Sequence, residues 1–249
     1  MGVRVVCWFS CGAASAVATK LTLARFGPDA VEVAYTDPGS EHPDNERFIR
    51  DCEAWFGKPV TRLRSDTYKD TWDVWERRGV MRTHHGGSPC TGELKRAVRL
   101  AFQRPDDIQV FGYTVEERER AAGFRRQNFE IDLRTPLIDA GLTKDDTIAM
   151  VERAGIAIPA MYLLGYRNNN CLGCPKGGMG YWNKIRKDFP DIFARAADME
   201  RKIGNSIFNE GGKPLYLDEL DPSRGRHDEP SFECSLMCHI AEADIADAA

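Results

Sequence analysis

No apolar run in this chain approaches the length that crosses a bilayer. The N-terminus also lacks the charged, apolar and small-residue layout of a secretory leader. Neither a membrane span nor a membrane partner is expected. Basic charge is not in excess: 34 Lys and Arg against 38 Asp and Glu leave a net charge of −4. That balance argues against bulk nonspecific nucleic-acid binding, while leaving room for a local basic groove. There is no internal repeat, low-complexity tract or long linker. Two familiar phosphate motifs are missing as well. No Gly-Lys-Ser/Thr closes the loop after the first strand pattern, and the second and third glycines of a dinucleotide fingerprint are absent there.

Apolar residues make up 42% of 249, enough to bury a full core. One large domain, or a domain with a small C-terminal appendage, is expected. Eight cysteines in a chain this long and without a leader read as reduced thiols and metal ligands, not as a disulfide framework. A reducing cytosol is the expected compartment.

The first third alternates between β-branched runs and helical patterns. Val3 to Phe9, Val31 to Thr36, Val60 to Leu63 and Ile108 to Tyr113 read as strands. Between them lie helices from Ala13 through Ala24, from Asp44 through Phe56, and from Gly92 to Phe102. This alternation predicts an α/β protein with a mostly parallel sheet covered on both faces. Thr143 to Ala154 reads as a further helix, with Thr143 as N-cap and Asp146 completing a variant capping box. After Pro159 the chain turns rich in glycine and asparagine, and little regular sheet is expected. The division drawn from sequence is an α/β domain over residues 1–165 and an irregular, cysteine-bearing region over 166–249 packed on it.

Cys171-Leu172-Gly173-Cys174 carries the strongest chemical signal. Two thiols at this spacing on one reverse turn can hold one metal from the same side and leave room for further ligands. Cys90, Cys234 and Cys238 are the other candidates, so a four-thiolate centre is within reach, either a [4Fe–4S] cluster or zinc. Two packed loop thiols are the plainer alternative. Cys7 and Cys52 fall inside strand and helix patterns and read as core thiols. Ser10-Cys11-Gly12-Ala13-Ala14-Ser15 joins a strand to a helix, where small residues let backbone N–H groups approach an anion at the positive end of the helix. Small residues there also serve simple close packing. His84-His85-Gly86-Gly87 reads as a mobile loop over the site, and Trp72, Trp75, Tyr181 and Trp182 as core or interface.

Several stretches in order carry a resemblance. Phe9 to Val17 follows the first strand without a Walker lysine, and Thr36-Asp37-Pro38-Gly39-Ser40-Glu41-His42-Pro43 follows the second strand. Cys90-Thr91-Gly92-Glu93-Leu94-Lys95 opens the next helix, Gly112 to Ala121 carries Glu117 and Arg120, and Gly165-Tyr166 precedes Cys171 and Cys174. Together these resemble the phosphoadenosine phosphosulfate (PAPS) reductase family of the adenine nucleotide α-hydrolase, or PP-loop, superfamily. The likeness spans about residues 3–185. It implies a five-stranded, mostly parallel sheet with an adenine nucleotide across the strand ends, where open α/β sheets bind ligands. It also implies that Ser10, Gly12 and Ser15 cradle a phosphate or sulfate, that Asp37 and Gly39 line the crevice, and that Lys95 and Arg120 face the anionic groups. Read without the resemblance, Lys95 and Arg120 are ordinary surface cations.

The departures are specific. Tyr113 stands where the family often has arginine, Glu117-Arg118 replaces Glu-Ser, and Cys90 stands alone where cluster-bearing reductases carry a cysteine pair. One ligand must therefore come from elsewhere, and Cys234 or Cys238 can supply it. Glu233-Cys234-Ser235-Leu236 also resembles the reductase tail, which makes Cys234 a candidate nucleophile and Cys238 a candidate fourth ligand.

Three functions follow. The first is thiol-dependent reduction of PAPS or adenosine phosphosulfate to sulfite, with a thiol reductant protein as partner. The second is an ATP-dependent sulfurtransferase using a sulfur donor. Its acceptor is a small molecule or a nucleic acid, which the Arg118, Arg120, Arg125 and Arg126 cluster could touch. The third is a noncatalytic nucleotide-binding module with structural zinc.

Overall fold

The computed structural model describes residues 3–226, and Cys234 and Cys238 lie outside the described residues. Five short strands, β1 (Val5–Trp8), β2 (Val31–Thr36), β3 (Thr61–Leu63), β4 (Ile108–Val110) and β5 (Asp132–Arg134), form one sheet in the order β3-β2-β1-β4-β5. Every pairing is parallel; Val5 stands opposite Val31 on one side and Ile108 on the other. Central β1 is buried along its whole length, as a parallel strand covered on both faces must be.

Alternation along β1 divides the core. Val5, Cys7 and Phe9 pack with Val31, Val33 and Tyr35 against the helices α1 (Ala13–Phe26), α2 (Asn45–Phe56) and α7 (Lys144–Arg153). Val6 and Trp8 point the other way, to Phe102 on α4 (Ala97–Phe102) and to Phe111. α1 is buried through Ala13, Ala16, Val17 and Ala18, small side chains that bring its axis close to the sheet. The Thr143 cap of α7 has the geometry its sequence implied. Thr143 Oγ1 accepts from the Asp146 N–H at 3.1 Å, and Asp146 Oδ2 accepts from the Thr143 N–H at 2.8 Å. Cys7 and Cys52 are buried as expected, and burial pushes the Cys7 thiol up to about 12.

Two expectations need correction. The helix read from Gly92 starts instead as a π-helical segment, Thr91–Arg96, before continuing as α4. The C-terminal region is also more regular than its glycine and asparagine content implied. It holds α9 (Met179–Asp188), α10 (Pro190–Ile203) and a small hairpin of β6 (Phe208–Glu210) with β7 (Lys213–Leu215). The physical reason lies past the glycines. Phe193, Ala196, Ala197 and Glu200 recur at helical spacing and are buried along one face of α10. Their core is shared with α3 (Thr71–Arg78). Trp72, Trp75, Met81 and Leu94 pack with Trp182, Ile185 and Phe193, so an early segment of the chain belongs to the same cluster as the last helices. Short helices α5 (Arg118–Gln127), α6 (Pro136–Asp139) and α8 (Ala160–Leu163) complete the fold. Among the described residues, no helix is long and apolar enough to cross a membrane.

Candidate functional site

The strand order places β1 beside β4, so the chain departs from the sheet's middle in opposite directions at these two strands. Sheets with such a reversal bind ligands at the carboxyl ends of the two strands. On the β1 side, Ser15 ties the loop together. Its Oγ accepts from the Ser10 N–H at 3.0 Å, donates to the Gly12 carbonyl at 2.9 Å, and lies 3.1 Å from Ser10 Oγ. On the β4 side, Gly112 presses against the same loop. A Cβ there would sit 2.8 Å from both Cα and N of Ser15, so no side chain fits. Gly12, the residue before α1, would put a Cβ 3.0 Å from the Tyr162 hydroxyl.

Tyr162 and Asn169 were not singled out from sequence, yet both reach this loop. The Tyr162 hydroxyl oxygen faces the backbone N–H groups of Ala13 and Asn169, and burial raises the phenol to about 12, so it stays protonated. The first N–H of α1 is therefore met by a neutral hydroxyl. Asn169 Nδ2 donates to the Cys11 carbonyl at 2.5 Å and to Asn45 Oδ1 at 2.8 Å. Cys11 has φ of 59°, and its buried thiol is raised by burial, which suits packing rather than sulfur transfer. The only hint in the sequence is the run Arg167-Asn168-Asn169-Asn170 just before the cysteine motif.

Asp37 and Gly39 stand together at the end of β2. Asp37 Oδ1 accepts from the Gly39 N–H at 2.8 Å, and Oδ2 takes the Arg64 guanidinium. Gly39 has φ of 67°, and a Cβ would fall 2.6 Å from the Lys69 carbonyl, so glycine is required on two counts. Ser40 then joins this loop to the cysteine motif, because the Leu172 N–H donates to the Ser40 carbonyl at 2.9 Å.

Glu41 anchors the next layer. With 4% side-chain exposure, it accepts from Lys95 Nζ at 3.1 Å, Tyr35 Oη at 2.8 Å and Asn45 Nδ2 at 2.7 Å. Burial pulls the Lys95 ammonium down, but Glu41, together with the nearby Cys171 and Cys174, more than offsets this and raises it. Lys95 thus faces a carboxylate and two thiols.

Tyr181 holds the Cys171–Cys174 turn. Its hydroxyl accepts from the Cys174 N–H at 3.0 Å and donates to the Cys171 carbonyl at 3.2 Å. Gly177 must be glycine, since a Cβ would lie 2.0 Å from the Tyr181 ring. Burial raises both thiols. Lys95 opposes the effect at Cys171, and the Lys176 backbone N–H opposes it at Cys174. Cys90 interacts electrostatically with both, and its own Sγ lies 3.0 Å from Ser88 Oγ. Three thiols therefore share one neighbourhood, and their soft donor chemistry suits iron or zinc. Among the described residues, however, no three His, Cys, Asp or Glu side chains are gathered closely enough to hold a metal ion as they stand.

Arg120 is placed apart from the β1 loop. It is 70% exposed, bonds Glu117 at 2.5 Å and lies 5.2 Å over the Tyr113 ring. The His84 loop faces a different neighbourhood from the one expected. With Arg82, Asn205, Asn209 and Pro214 it lines a cavity of about 450 Å³ against the C-terminal hairpin. Of the aromatic set expected in core or interface, Trp72, Trp75 and Trp182 are buried core.

No protein-family model matches the chain. The chain is similar to an uncharacterized protein, MJ0066, of Methanocaldococcus jannaschii. The two are 24% identical over 201 residues, 78% of this chain and 41% of that relative. The chain thus matches less than half the length of this relative.

Proposed function

We propose that this chain is a PAPS reductase-like enzyme of the reducing cytosol, which binds an adenine sulfonucleotide in the strand-end crevice and reduces it to sulfite. The junction between Leu172 and Ser40 carries the reading. It fixes the thiol-bearing turn to the loop of Asp37 and Gly39 at 2.9 Å, which supports a reading that joins thiol chemistry to a ligand at the strand ends.

In this reading Ser10, Gly12 and Ser15 seat one oxyanion, and Lys95 offers positive charge beside the thiols. Cys234 Sγ attacks the sulfo sulfur. The S–O bond to the phosphate breaks, and its electron pair leaves with the adenosine phosphate. A reductant thiol then attacks Cys234 Sγ, forms a mixed disulfide and expels sulfite, and the reductant's second thiol frees Cys234. Arg226 runs against the first turn of α9, so that a Cβ on Gly180 would fall 1.8 Å from the Arg226 carbonyl oxygen. Tyr181, the next residue, is the one bonded to Cys171 and Cys174. From Arg226 to Cys234 an extended chain reaches roughly 27 Å. An iron–sulfur cluster or zinc on Cys90, Cys171, Cys174 and Cys238 would tether the tail beside the crevice, and since four thiolates leave either centre net negative, Lys95 would balance its charge.

A second reading, an ATP-dependent sulfurtransferase, is favoured by the surface of α5. Arg118 and Arg126 are exposed there, and Phe129, two residues past the last turn of α5, is 90% exposed, a combination suited to a single-stranded nucleic-acid acceptor. Product analysis separates the two. Anaerobically purified protein is given PAPS, adenosine phosphosulfate or ATP with a thiol reductant. Sulfite with a released adenosine phosphate supports reduction, while pyrophosphate and AMP from ATP with an acceptor support sulfur transfer. Absence of both sets of products overturns both readings.

A further inference from the structure

The cavity of about 450 Å³ beside the His84 loop shares no lining residue with the loops at the strand ends. One wall comes from residues 82–86, the other from residues 204–214, which hold the turn after α10 and the β6–β7 hairpin. Both walls are fixed. Thr83 closes its own turn: its N–H donates to the Gly87 carbonyl at 2.9 Å, its carbonyl accepts from the Gly86 N–H at 2.9 Å, and its Oγ1 accepts from the Gly87 N–H at 3.1 Å. Asn205 ties the two walls together, because its Oδ1 accepts from the Met81 N–H at 2.9 Å and the Arg82 N–H at 3.4 Å. Buried Met81 and Ser88 anchor the ends of the loop. The space is therefore pre-formed, and its volume falls among those of small-molecule sites, roughly 300–1,000 Å³.

Its polar chemistry is one-sided. The Asn205 carbonyl oxygen is spent on two N–H groups, which leaves the amide NH₂, and the Ser206 hydroxyl donates to the Phe208 carbonyl at 2.7 Å. Arg82 and His84 add further N–H donors. No Asp or Glu lines the cavity, and the next residue along β6, Glu210, is engaged by Arg224 at 2.9 Å. Arg77 and Arg78, just upstream on α3, each pair with a carboxylate. Arg82 differs: it is half-buried, its Nη2 lies 3.8 Å from where a Cβ on Gly86 would stand, and among the described residues no carboxylate pairs with it. Ile207, Phe208 and Pro214 supply the apolar part of the lining. A bare inorganic anion is far smaller than this space, whereas an anion with an organic body would meet both the donors and the apolar wall.

We infer that this cavity is a binding site for a small organic oxyanion, a phosphate ester or a carboxylic acid, separate from the ligand site at the strand ends. Arg82 holds the oxyanion through its planar fork of N–H groups, and His84 and the Asn205 NH₂ complete the donor set. The organic body lies against Ile207, Phe208 and Pro214, where burial of its apolar surface adds affinity. The inference stands apart from the nucleotide reading, since none of these residues belongs to the strand-end loops or to the thiol cluster.

The test is a heteronuclear NMR titration of the full chain with inorganic phosphate, phenyl phosphate, benzoate and uncharged benzyl alcohol, repeated on Arg82→Gln and His84→Gln. Phenyl phosphate or benzoate should shift the amide signals of Thr83, Gly86, Gly87, Asn205 and Asn209. It should bind at least about 10-fold tighter than inorganic phosphate or benzyl alcohol. Whichever of the two binds tighter identifies the oxyanion as phosphoryl or carboxylate. Arg82→Gln should weaken binding by about 10-fold or more, with little change in melting temperature. His84→Gln lies on an exposed position of the loop and decides the matter if the first variant misfolds; it should weaken binding by about 3-fold or more. Equal binding of benzyl alcohol, affinities unchanged in both variants, or no shift at these amides with any probe overturns the inference. Shifts confined to Ser10, Cys11 and Ser15 overturn it as well, while supporting an anion at the strand ends. Shifts at the cavity in a protein that binds no adenine nucleotide uphold it and count against the nucleotide reading alone.

Discussion

Glu200 couples the stability of the thiol-bearing region to pH. Its side chain is fully buried on α10 and accepts from the Ile207 and Leu217 N–H groups, each at 2.6 Å. Burial raises the carboxyl from 4.5 to about 7, against the opposing pull of those two N–H bonds. Below pH 4.5 the folded and unfolded chains both hold the proton, and the contribution to stability is full. Between 4.5 and 7 the unfolded chain releases its proton first, so stability falls as pH rises; above 7 the loss is complete. From pH 5 to pH 8 this amounts to about 2.5 kcal/mol. Glu200→Gln is neutral throughout and removes the dependence. Its amide NH₂ must face one of the two N–H donors, at a pH-independent cost of about 1–3 kcal/mol. Urea denaturation of both proteins at pH 5, 6, 7 and 8 should show the native advantage over the glutamine variant shrinking by about 2.5 kcal/mol across the range. Parallel curves, or an advantage that grows with pH, would mean that the two N–H bonds outweigh burial and the reasoning is wrong. The consequence reaches the site, since Ile192 and Phe193 of the same helix pack close to Gly173 and Trp182.

Other outcomes can be checked directly. Gly112→Ala must move the Ser15 backbone by several tenths of an ångström, costing about 1–3 kcal/mol. Nucleotide affinity should fall with it, and a variant with native melting and native affinity would show that the β4 end does not shape the loop. Tyr181→Phe removes the 3.0 and 3.2 Å bonds to Cys174 and Cys171. It should destabilise by about 1–2 kcal/mol and lose metal faster to a chelator; unchanged retention would remove Tyr181 from the role of holding the turn. Cys90→Ser should abolish the metal content of anaerobically purified protein, and full occupancy would take Cys90 out of the ligand set.

What could be read along the chain is what adjacent residues decide. Short β-branched runs separated by helical patterns announced a parallel sheet, because a strand covered on both faces is apolar throughout. Thr143 and Asp146 announced a cap because both partners lie within one turn. Cys171 and Cys174 announced a turn carrying two thiols because their spacing closes within four residues; the Tyr181 hydroxyl that holds that turn lies further along the chain. The short strand Asp132–Arg134 went unread because two of its three side chains are charged and exposed. The helices after Pro159 were hidden behind glycines whose role is local, at Gly173 and Gly177, rather than a sign of disorder.

By itself, then, the sequence determined the periodicity, the caps, the thiol spacing and the small-residue loop, all set by sterics and hydrogen bonds within a few residues. Only the tertiary structure decided which charges are satisfied. Glu41 and Lys95 meet across 54 residues, and Tyr162 reaches the start of α1 from α8. Among the described residues Arg99 meets two aromatic rings and the charge of Arg96, and no carboxylate acts on it. Burial and pairing depend on which distant segments pack together, and no spacing along the chain encodes that.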